Sequence, residues 1–152
     1  MALQRRLVTM LVAGGLVASG SLLGAAPAAA WETLGKACVG EKVRRCAEIR
    51  QNSTGTVYVR AAVADEGAGD WVVRAREIQL YFARDWTNPP SAGLLYDKEY
   101  TGAYEDYHHD LATPAVDFAC GTEVSAVATL QWKAKSGGDV STGKVSVTRV
   151  VC

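Results

Sequence analysis

An all-β fold, an antiparallel β-sandwich with immunoglobulin-like or Greek-key connectivity, is predicted by three observations in this 152-residue chain. Short runs alternate apolar and polar residues with a period of two, and nothing after residue 30 keeps a helical period. Small polar residues, glycine and proline separate those runs, as they do at turns. Four cysteines follow a leader of export type, an even number suited to two disulfides in a small secreted domain.

The leader comes first. MALQRR is short and basic, LVTMLVAGGLVASGSLLG is apolar, and AAPAAA supplies small residues. That order reads as a secretory signal peptide over residues 1–30, with Ala28 and Ala30 forming an Ala-x-Ala cleavage site ahead of Trp31. Glycines and serines interrupt the apolar run, which argues against an uncleaved membrane anchor. Arg5-Arg6 raises the twin-arginine route, but the surrounding residues favour general secretion. The leader holds no cysteine for a lipid anchor, and no apolar tail precedes Cys152. The expected product is a single domain over residues 31–152, released outside the cell with no membrane attachment.

Arg5 and Arg6 are the only charges in the leader, so the exported part carries two more acids than bases. An excess that small and of that sign disfavours a nucleic-acid partner. A domain of this length buries roughly two-thirds of its unfolded surface, enough for a real core.

The strands follow in order. VRRCAEIR and TVYVRAAVAD flank QNSTG and read as a hairpin, with Val57, Val59, Ala61 and Val63 on one face. Asn52-Ser53-Thr54 matches a glycosylation sequon only formally, because the leader has a bacterial character. In DWVVRAREIQLYFARD, Trp71, Val73 and Ala75 share one parity while Ile78, Leu80 and Phe82 share the other. Either a bulge near Arg76-Glu77 restores one buried face, or the strand bends there and passes between sheets. Late in the chain, Val124, Ala126, Ala128, Leu130 and Trp132 alternate, SGGDVSTG turns, and KVSVTRVVC returns with Val145 and Val147 inward. About six to eight antiparallel strands result.

Cys38, Cys46, Cys120 and Cys152 allow three pairings. Strand pairing favours Cys38–Cys46 and Cys120–Cys152, worth about 3 and about 4 kcal/mol on the chain-entropy account. A zinc site would need Cys-x-x-Cys spacing, which is missing.

The run WETLGKACVGEKVRRCAEIR, with VRAAVAD, WVVRAREIQLYFARD and ATLQWKAKSG, resembles a group of small secreted actinobacterial β-rich proteins. The likeness covers most of the exported part. It implies secretion and a β fold and carries no activity with it.

One stretch stands out. YDKEYTGAYEDYHHD, residues 96–110, holds both histidines, four of six tyrosines, five carboxylates and one lysine. A metal site is disfavoured because adjacent His108 and His109 point to opposite faces of a strand. Paired-carboxylate hydrolysis would need a set separation that no spacing here defines, and no Gly-x-Ser-x-Gly elbow is present. No cofactor is implied. Tyr96, Tyr100, Tyr104 and Tyr107, with His108, His109 and Trp86, could instead form a binding surface, since tyrosine offers broad, stiff contact area. The same spacing equally suits a short helix broken at Gly102, or a strand-and-turn segment at the sandwich edge; a connecting or edge role is favoured over a catalytic one.

The expected function is a non-enzymatic extracellular binding module, monomeric, with a protein or glycan partner. A secreted protease inhibitor presenting ARDWTNPPSAG is the alternative, although the cysteine spacing differs from that of the secreted subtilisin inhibitors. A small-ligand carrier is another, similar in format to the enediyne apoproteins.

Overall fold

The computed structural model describes residues 30–67, 69–83 and 92–152. Among them the chain forms nine strands in two antiparallel sheets and no helix. Residues 1–29 of the leader, Trp86 and most of the ARDWTNPPSAG loop lie outside the described residues.

The first sheet orders β1 (Trp31–Val39), β2 (Val43–Asn52) and β3 (Thr56–Asp65), and its far edge is shared by β6 (His108–Ala112) and β7 (Val116–Asp117). The second orders β5 (Ala92–Glu99), β4 (Trp71–Ala83), β8 (Glu123–Ala134) and β9 (Ser141–Val150). After β3 the chain crosses to form the β4–β5 hairpin, returns so that β6 lies beside β3, and crosses again so that β8 lies beside β4. This is the Greek-key connectivity of immunoglobulin-type sandwiches, with β1 added outside it.

The core sits between the sheets and follows the alternation. Val57, Val59, Ala61 and Val63 of β3 face Val73, Ala75, Ile78 and Leu80 of β4 and Val124, Ala126, Ala128 and Leu130 of β8, all fully buried. The change of parity in β4 is a bulge: against β8, Ala75 pairs with Leu130 and Glu77 with Thr129, leaving Arg76 as the extra residue. Without that slip, Ile78 and Leu80 would face water.

Both disulfides pair as strand geometry favours. Cys38 and Cys46 stand directly opposite in the β1–β2 ladder, with Cα atoms 4.2 Å apart. The β8–β9 register runs out to Glu123 opposite Val150, so Cys120 and Cys152 meet beyond it at 5.1 Å. Neither bond spans the two sheets as the immunoglobulin bond does.

Residues 96–110 contain no helix. Strand β5 carries Tyr96, residues 100–107 run along the other half of the β4 edge, and the chain then enters β6 at His108. Backbone bonds hold this run to β4 at two places: Tyr100 N donates to Arg76 O at 2.8 Å, and Glu105 and Val73 exchange backbone bonds at 2.9 Å. Gly102 lets the chain fold back, because a Cβ there would collide with the Tyr100 ring.

Candidate functional site

Four connections gather at one end of the sandwich: the β1–β2, β3–β4 and β8–β9 turns and the 100–107 segment. Backbone bonds join them. Glu66 N donates to Lys42 O at 2.8 Å, Asp65 N to Tyr107 O at 2.9 Å, and Lys135 N to Asp70 O at 3.0 Å. The Asp65 carboxylate shapes the β3–β4 turn by accepting from Gly67 N and Trp71 N at 2.8 and 3.0 Å. Between these turns lies an open cleft of about 490 Å³, with Lys42, Trp71, Asp70 and Lys135 among its lining residues.

The tyrosines divide by role. Tyr96 and Tyr100 pack against the core. Tyr104 lies on the outer face of the second sheet, with the Arg74 guanidinium 4.3 Å and Lys133 Nζ 4.9 Å from its ring centroid. Arg74 also donates to the Tyr104 hydroxyl at 3.3 Å and to Gly102 O at 2.8 Å. Tyr107 is 69% exposed beside the cleft, with Lys135 Nζ 5.3 Å from its ring. Lys135 in turn pairs with Asp106 at 3.3 Å. Tyr104 and Tyr107 are thus near the loop end, whereas Tyr96 and Tyr100 belong to the packing of the edge.

The histidines part as strand alternation requires. His109 turns between the sheets, accepts from Ala75 N through Nδ1 at 3.1 Å, and packs at a tilt against Tyr100 with centroids 4.4 Å apart. Burial lowers its pKa below the ordinary histidine value; Glu105 and Asp110 oppose that shift, and His108 and Arg74 assist it. His108 faces outward, its Nε2 2.9 Å from Asp110 Oδ2. Among the described residues no three His, Cys, Asp or Glu side chains converge as metal ligands would.

A charged network covers the outer face of the first sheet. Glu48 is only 3% exposed and is ringed by Lys36 at 2.8 Å, Arg60 at 3.4 Å and Arg50 at 3.8 Å. Arg60 also pairs with Asp110, and these carboxylates raise its pKa against the opposing effect of burial. Every member finds an opposite charge.

Sequence reasoning missed Arg74, Lys133 and Lys135 as neighbours of the tyrosines. Arg74 and Lys133 sit on the polar parity of β4 and β8, and only the pairing of those strands brings them to Tyr104. No family model matches this chain, and neither the curated proteins nor the solved structures contain a match to it.

Proposed function

We propose that this chain is an exported, non-enzymatic binding module that engages an extracellular protein or glycan at the loop end of its sandwich. Tyr107, exposed beside the cleft and next to Lys135 and Gly69, carries the reading. A mostly exposed aromatic ring with a cation beside it is a recurrent element of recognition surfaces. Tyr104, Arg74 and Lys133 extend that surface onto the second sheet. The export leader, the two disulfides and the resemblance to small secreted proteins accord with an oxidising, extracellular setting.

The test is a glycan array together with a pull-down from culture fluid, run on the wild-type protein and on Tyr107→Ala. The expected result is a captured ligand whose retention falls at least several-fold in the variant. Silence of both assays across several conditions, or capture indifferent to Tyr107, would overturn the assignment.

A further inference from the structure

Of the four sheet edges among the described residues, three are interrupted. The β1 ladder slips between Thr33 and Gly35. Strand β5 slips against β4 at Leu95 and sends Lys98 Nζ to Ala112 O in the other sheet, at 2.9 Å. The last edge breaks between β6 and β7 at Thr113, Pro114 and Ala115. Bulges, inward charges and prolines are the devices by which sandwiches keep foreign strands off their edges. Strand β9 differs. It keeps register with β8 from Ser141 to Val150 without a slip and contains no proline.

The outward bonding groups of β9 can be assigned. Val151 N donates to Thr122 O, which sets the alternation of the β8–β9 ladder. Odd-numbered residues of β9 therefore bond to β8, while Thr142, Lys144, Ser146, Thr148 and Val150 turn their backbone N–H and C=O groups away. All five residues are exposed. One outward carbonyl, Thr148 O, accepts from Arg149 Nη1 at 2.7 Å.

We infer that β9 is a strand-addition edge whose partner is the β9 strand of a second copy, antiparallel about a two-fold axis through Ser146. That register opposes Lys144 to Thr148 and staggers the two lysines, so no like charges face each other. It also brings exposed Val150 of one copy diagonally beside exposed Val140 of the other, at both ends of the ladder. About ten backbone hydrogen bonds would form across the axis. The second sheets of the two copies then become one continuous sheet. This departs from the monomer expected from the sequence, which shows strands but not which of them end at an edge.

The purified protein is examined by light scattering over a wide concentration range and by residue-resolved hydrogen exchange. The expected result is a doubling of the weight-average mass on concentration, with slowed exchange at the amides of Lys144, Ser146 and Thr148. Ser146→Pro removes an outward N–H without touching the β8 ladder, and Ser146→Lys adds charge at the axis; both should abolish the doubling and leave circular dichroism unchanged. If the proline variant does not fold, the lysine variant still decides. A monomer at every concentration, a dimer that survives the substitutions, or one that leaves those amides unprotected overturns the inference; the last two assign association to another face.

Discussion

His109 Nδ1 accepts the backbone amide hydrogen of Ala75 across the gap between the two sheets, at 3.1 Å, beside the Arg76 bulge. An acceptor nitrogen cannot be protonated, so this bond requires neutral imidazole with its proton on Nε2. Burial lowers the His109 pKa in the folded protein relative to about 6.5 in the unfolded chain. The unfolded state therefore binds more protons in the window just below 6.5, and this contribution to stability is complete above it and declines as pH falls through it. Denaturant midpoints measured on both sides of about pH 6.5 should show the decline. His109→Phe should flatten that part of the profile, and a slope unchanged in the variant would place its origin elsewhere.

Tyr100 and Tyr107 should separate packing from recognition. Tyr100 lies against the core and His109, so Tyr100→Ala should cost about 1–3 kcal/mol, less than a fully buried aromatic. Tyr107→Ala should change stability by no more than about 0.5 kcal/mol. Urea denaturation of the two variants checks both values, and equal losses would contradict the division of roles.

Glu48 is the buried anion of the outer network. Glu48→Gln leaves Lys36, Arg50 and Arg60 without their shared carboxylate, at an expected cost of about 1–3 kcal/mol. The cations keep part of their hydration, which holds the figure below that of a fully buried pair. Equilibrium unfolding of E48Q gives the measurement, and a neutral result would mean that the network adds order to the surface without adding stability.

The disulfides should differ in worth. Cys38–Cys46 closes a short loop within one hairpin, whereas Cys120–Cys152 closes a span of 32 residues. Chain entropy alone makes the longer closure worth about 1 kcal/mol more. Paired Cys→Ala variants compared in denaturant should show the larger loss for C120A/C152A, and the reverse order would point to native-state packing around Cys46.

Much of the fold is legible in the residues. Alternation at Val57–Val63 and Val124–Leu130 marks the inward faces, because a strand's side chains change sides at every residue. The parity break between Ala75 and Ile78 exposes the irregularity at Arg76, although the text alone leaves a bulge and a corner equally open. Cysteine pairing is readable for the same reason: hairpin register is local. The candidate site was legible only as an anomaly of composition.

Local order along the chain thus determined β2, β3, β4, β8 and β9, their inward faces and both cross-links, since each depends on residues close in the chain or within a hairpin. Tertiary structure alone decided which tyrosine is core and which is free, which histidine meets Ala75, and which strand is left as an unbroken edge. Those outcomes depend on crossings between sheets, where Arg74, Lys133 and Tyr104 meet from three separate parts of the chain. Residue spacing carries no record of such meetings, because closure of long loops is set by the packing of whole faces.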